Sequence, residues 1–189
     1  MEKTGARFWR LLEPEYQRAM LFCRKLATDR EKGDDLFQDA LVTALTRLSG
    51  LREEQSFRPW LYRIIVNTFR SKTRRPWWKR RVDLTVEMEL SLIGENPIDA
   101  HTARRWLGRA MQVLSPEAQA LVTLYELEGW TISELAKLYR LSEGSVKARL
   151  FRARYKMKKV LSEFALRSAA EVGSKAKDKV CVVPKPGVD

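Results

Sequence analysis

Four polar side chains step along one stripe of a helical segment: Arg63, Asn67, Arg70 and Arg74. Guanidinium groups in such a row can meet phosphates, and an amide can hydrogen-bond a base edge. Further on, Lys147, Arg149, Phe151 and Arg152 share a second helical pattern, whose inward positions are Val146 and Leu150. Lys and Arg at outward positions reach phosphates or guanine edges, and small or apolar ones meet a thymine methyl. An outward Phe151 has two readings, contact with DNA or packing against a neighbouring helix. Trp60 lies in an apolar seam and has two readings as well, a core side chain or a platform on which a base stacks. The polar side chains Asp34, Asp35, Gln38 and Asp39 gather near the start of a third helical segment. Catalytic magnesium needs carboxylates converging around phosphates, and nothing else in the chain supports a nuclease. One histidine, His101, and two distant cysteines, Cys23 and Cys181, form no zinc site. The sequence therefore calls for no metal, no cofactor and no catalytic group.

The composition agrees with a polyanion as partner. The 189 residues hold 36 Lys and Arg against 24 Asp and Glu, a formal net charge of +12. The run from Arg58 to Arg81 contains bases and no acid; from Val82 to Ala100 only acids occur; and Lys147 to Lys159 is basic again. Two basic blocks around an acidic stretch suggest two binding faces on a bilobed molecule. Hydrophobic residues at 44% permit real cores. No run approaches the roughly 18–20 apolar residues of a membrane span, and the first residues have no apolar signal region. The expectation is a cytoplasmic protein with no membrane insertion. Cys23 falls in an apolar helical seam and reads as a core thiol.

Helical periodicity dominates and strand signals are nearly absent. Apolar positions predict a helix over 8–28, a break at Gly33, a helix from Asp34 to Leu48 and a loop over 49–57. Another helix runs from Pro59 to Lys72, with Pro76 ending it. Residues 76–102 lack clean periodicity and read as a linker, with His101 at its end as an exposed or capping residue. A helix over 103–114 follows. Ser115-Pro116-Glu117 opens the next, and Thr131-Ile132-Ser133-Glu134 is a capping box. Ser142 caps a last helix that ends near Leu161. The final pair, with small Ala136 facing its partner, is a helix-turn-helix pattern. The predicted fold is all-α: a helical domain over 1–75, a linker over 76–102, a helix-turn-helix domain over 103–162 and a disordered tail over 163–189.

Three stretches together resemble the extracytoplasmic-function group of bacterial RNA polymerase sigma factors. Asp34-Asp35-Leu36-Phe37-Gln38-Asp39-Ala40 resembles that family's D-L-x-Q-[DE] segment. Residues Phe57 to Asn67 resemble its F-x-x-W-L-x-x-I-x-x-N segment. Residues Gly144 to Arg154 resemble its G-[TS]-V-K-[SA]-R-[LI]-x-R-[AG]-[RK] recognition helix. The resemblance implies that Asp35, Gln38 and Asp39 dock on the clamp helices of the polymerase's largest subunit, with the flap of the second-largest subunit as a further contact. It implies that Trp60, Arg63, Asn67, Arg70 and Arg74 meet the −10 promoter element where melting starts. It implies that Lys147, Arg149, Phe151 and Arg152 enter the major groove of the −35 element. An anti-sigma factor is the implied regulator. Pro76-Trp77-Trp78 is a departure, an aromatic pair that could stack on single-stranded DNA or pack under the linker.

Two other classes fit less well. A stand-alone helix-turn-helix regulator needs neither the acidic helix nor the Trp60–Asn67 segment. A site-specific recombinase needs a nucleophile with clustered arginines in an α/β or larger helical domain.

Overall fold

The computed structural model describes residues 2–74 and 97–178, and every regular element among them is helical. The first unit comprises α1 (Glu2–Leu12), α2 (Tyr16–Ala27), α3 (Arg30–Arg47) and α4 (Phe57–Thr73). The second comprises α5 (Pro97–Gln112), α6 (Pro116–Glu126), α7 (Ile132–Tyr139) and α8 (Glu143–Asp178).

The helix expected over 8–28 is broken in two by a 3-10 turn at Glu13–Glu15. Pro14 sits in that turn; it has no amide proton to donate and its ring blocks a continuous α-helix. Leu12, Phe22 and Cys23 are fully buried on either side of it. Burial pushes the Cys23 thiol well above its ordinary range, as the core reading requires. Cys181, Pro76-Trp77-Trp78 and the acidic stretch up to residue 96 lie outside the described residues.

Gly33 does not break the chain. It is a buried residue in the first turns of α3, whose N-cap is Asp29, with its carboxylate accepting from the Lys32 amide at 2.9 Å. The expected start at Asp34 is therefore several residues late. Asp34 instead receives two hydrogen bonds from Arg24, at 2.7 and 3.1 Å, which fasten α2 to α3. Leu36, Phe37, Ala40 and Ala44 face inward from α3, but Leu45, placed by periodicity in the same seam, is exposed.

Helix α4 packs against α2 and α3, with Leu61, Tyr62 and Ile65 wholly buried. It starts at Phe57 because Phe57 itself packs edge-on against Phe8 of α1, with centroids 6.1 Å apart.

In the second unit α5 begins at Pro97, inside the segment read as linker; proline suits a first helical turn. The starts of α6 and α7 match the sequence reading. Ser115 accepts from the Ala118 amide, and Thr131 and Glu134 complete the reciprocal box. Arg140 closes α7 in the left-handed region at φ 54°, and α8 packs on α5, α6 and α7. Helix α8 runs on to Asp178, past the expected end near Leu161; between these points only Gly173 disfavours a helix. Residues 179–189 are outside the described residues.

The box yields a quantitative expectation. Hydrogen bonds from Thr131 hold the Glu134 carboxyl below its usual range. A folded-state value below the unfolded one contributes stability above the carboxylate range, and that contribution is lost as pH falls through it. Thr131→Ala should cost about 1 kcal/mol at neutral pH. The gap to wild type should narrow in thermal melts as pH falls through and below the carboxylate range, because protonated Glu134 no longer offers a charged acceptor.

Candidate nucleic-acid interface

The recognition helix is anchored by its own sequence. Ser142 Oγ accepts from the Ser145 amide at 3.2 Å, while Val146, Leu150 and Ala153 turn into the core. Phase then forces Lys147, Phe151 and Arg152 outward. Phe151 is 71% exposed, so the neighbouring-helix reading of this side chain does not hold. Arg149 is half-buried and leans towards Glu117, 3.9 Å away. Tyr155, one turn beyond Phe151, is 68% exposed and was missed in the sequence reading. Its spacing of four from Phe151 was the available signal.

On α4 the stripe divides. Asn67 and Arg74 are exposed. Arg63 and Arg70 point at the second unit instead. Arg63 donates from Nε to the Leu138 carbonyl at 2.9 Å and from Nη2 to the Lys137 carbonyl at 2.8 Å. Arg70 Nη1 donates to Glu117 Oε1 at 2.8 Å. Trp60 is half-buried, tilted on Phe57 with centroids 5.8 Å apart, and packs on the core.

On α3, Asp35, Gln38 and Asp39 are all exposed. Val42, 64% exposed, continues the same face and was missed, because periodicity alone does not say which apolar residue lies outside the seam. Lys72 of α4, almost wholly buried, reaches this face. Its ammonium lies 2.7 Å from Asp39 Oδ2 and donates to the Asp35 carbonyl at 3.4 Å. The acidic face of α3 is thus tied to α4 through a buried cation.

Among the described residues no group of three or more metal-ligating side chains converges, and no helix is long and apolar enough to cross a membrane.

This arrangement, an acidic exposed helix, a basic stripe and a helix-turn-helix with basic outward residues, is the plan of a two-unit helix-turn-helix protein. The family description "Sigma-70 region 2" matches residues 11–79, and "Sigma-70, region 4" matches residues 104–157. The ECF RNA polymerase sigma-E factor of Escherichia coli (strain K12) is 32% identical over 133 residues, covering 64% of this chain and 69% of that protein. The RNA polymerase sigma-H factor of Pseudomonas aeruginosa is 27% identical over 176 residues, covering 85% and 90%. The chain belongs to the ECF sigma factors, DNA-binding regulatory proteins that direct transcription initiation. Two solved structures share the fold. The sigma factor RpoE in complex with the anti-sigma factor NepR from Bartonella quintana gives a TM-score of 0.62 at 21% identity, covering 82% of this chain and 97% of that one. CnrH in complex with the cytosolic domain of CnrY gives 0.61 at 21% identity, covering 84% and 90%.

Proposed function

We propose that this chain binds core RNA polymerase in the cytoplasm and directs it to promoters by reading two elements. In this reading residues 1–75 form the region 2 domain and 103–162 the region 4 domain, joined by a linker over 76–102. Lys147, Phe151 and Arg152, with Arg149 alongside, read the −35 element in the major groove. Arg63, Asn67, Arg70 and Arg74 hold the −10 element, with Trp60 beside them. Melting needs no nucleotide hydrolysis, since captured bases and polymerase contacts offset lost stacking. Asp35, Gln38 and Asp39 dock on the clamp helices, and the region 4 domain meets the flap. An anti-sigma factor holds the protein in reserve, a reading supported by the structural relative RpoE, which is seen in complex with the anti-sigma factor NepR.

The observation that carries the reading is the outward face of α8. There an aromatic side chain, 71% exposed, stands between exposed Lys147 and Arg152 on one helix face. Run-off transcription with purified bacterial core polymerase and a fragmented genomic template library tests it. Discrete new start sites are expected. Tight sequence-specific binding by the chain alone, with no new starts, would favour the stand-alone regulator. Arg152→Ala should cost about 1–3 kcal/mol and relax preference at one −35 position. An unchanged promoter ranking would remove Arg152 from the base contacts.

A further inference from the structure

A cleft of about 340 Å³ opens between α6 and α8, beside the outward face of α8. That volume suits a small ligand. The floor is apolar, with Leu114, Leu121 and Ala153 buried there. The rim is basic. Arg149, Arg152 and Lys156 are three and four residues apart, so they share one flank of α8. Among the described residues neither Arg152 nor Lys156 forms an ion pair. Glu117 also lines the cleft, but its carboxylate is already engaged. Arg70 donates to Oε1 at 2.8 Å, and Arg149 lies 3.9 Å from Oε2.

Two hydroxyls complete the lining. Tyr139 ends α7 with its ring packed against the core, and its hydroxyl is buried with no hydrogen-bond partner among the described residues. Burial first, then the Glu117 charge, pushes this phenol up against an opposing effect of Arg149. Tyr139 therefore keeps its proton at neutral pH. A buried hydroxyl without an acceptor is costly, and a ligand oxygen relieves that cost. Ser115 caps α6; its Oγ accepts from the Ala118 amide at 3.3 Å, which leaves its own proton to donate. The N-terminus of α6 adds partial positive charge at the same end of the cleft.

We propose that this cleft binds a small phosphate monoester, and that the bound ligand draws Arg149 and Arg152 away from DNA. Three cations and two hydroxyl donors fit an oxyanion with several charged oxygens, and the apolar floor takes the carbon portion. The phosphate comes from a free small molecule. A duplex carries its phosphates on a convex surface, which does not reach down to a buried hydroxyl. The competition rests on the assignment of Arg149 and Arg152 to the −35 element made above; the site itself does not.

The full chain is titrated with inorganic phosphate by calorimetry, against sodium chloride at matched ionic strength, because a chain of net charge +12 attracts any anion. Three variants separate a built site from that general attraction. Tyr139→Phe removes one hydroxyl and no charge. Lys156→Ala and Lys158→Ala each remove one exposed cation, but only Lys156 lines this cleft. None of the three residues is assigned to DNA or polymerase. Wild type should bind one phosphate with a Kd of about 1 mM or below. Tyr139→Phe and Lys156→Ala should each weaken binding about tenfold or more, and Lys158→Ala should leave it unchanged. No saturable binding, or equal binding by all four proteins, would overturn the site.

Fluorescence anisotropy of a labelled mixed-sequence duplex of about 20 base pairs reads the competition. Phosphate should weaken duplex binding by wild type beyond the effect of matched salt, and should lose that excess in Tyr139→Phe. If Tyr139→Phe binds the duplex about tenfold more weakly with no phosphate present, the cleft holds a backbone phosphate and the free ligand is overturned. If phosphate binds but never displaces the duplex, the competition is overturned. If Arg149→Ala and Arg152→Ala leave duplex binding unchanged, the assignment of those arginines to DNA fails, and the competition with it, while the cleft stands.

Discussion

Gly33→Ala will lower the melting temperature of this protein, and Gly108→Ala will raise it. Both glycines lie inside helices, where alanine is favoured by roughly 1 kcal/mol on backbone entropy and propensity. Propensity alone therefore predicts two stabilised proteins. Packing reverses the sign at one of them. A methyl carbon on Gly33 would lie 2.5 Å from Arg24 Cα and 2.9 Å from its main-chain nitrogen. Those are backbone atoms of α2, which cannot rotate away. The two helices must separate, at a cost of about 1–3 kcal/mol for overpacking and more where the Arg24–Asp34 pair is stretched as well. At Gly108 the same methyl meets nothing within 4 Å. Thermal denaturation of both variants decides it: for a chain of this size each kcal/mol moves the midpoint by about 2–4 °C. A stabilised Gly33→Ala would mean that the close approach of α2 and α3 is not a constraint in solution.

Gly33 also shows where a linear reading stops. In sequence, Gly33 between polar residues looks like punctuation, since glycine both ends helices and lets backbones approach, and the second use depends on a residue of another helix. The capping box at Thr131 and Glu134 was legible because all its partners lie within one turn. The buried stripe Val146, Leu150 and Ala153, and with it the outward phase of Lys147, Phe151 and Arg152, was legible for the same reason. The acceptors of Arg63 and Arg70 were not, because they lie 47 to 75 residues away and exist only once α4 meets α6 and α7. The interior of α3 was legible down to its last turn, where Leu45 faces outward. Which apolar residue borders the core and which borders solvent depends on the partner helix, and the period of α3 carries no record of it. The break at Pro14 was missed although proline states it locally.

The largest functional effect is expected on the outward face of α3. Asp35→Arg and Gln38→Arg should each abolish run-off transcription and co-elution with core polymerase while leaving the melting temperature near wild type. Both side chains are exposed. Reversing the charge at Asp35, or adding a positive one at neutral Gln38, against a basic partner costs several kcal/mol, which is about a hundredfold or more in affinity. Asp39→Arg should lose the same activity, but it is the poorer probe. Its carboxylate pairs with Lys72, whose side chain is only 10% exposed, so an arginine there sets a like charge against a buried ammonium. Loss of function in that variant mixes docking with destabilisation of the α3–α4 contact. The two causes separate in K72M/D39N, which removes both charges of the pair. If Asp39 serves mainly to neutralise Lys72, this double variant should keep most of its polymerase affinity. If the carboxylate itself meets the polymerase, the double variant should bind as weakly as Asp39→Asn alone. Wild-type co-elution of Asp35→Arg and Gln38→Arg together would move the docking surface off α3. Val42 then becomes informative: as an exposed apolar residue on the same face, Val42→Lys should weaken binding if α3 docks and change nothing if it does not.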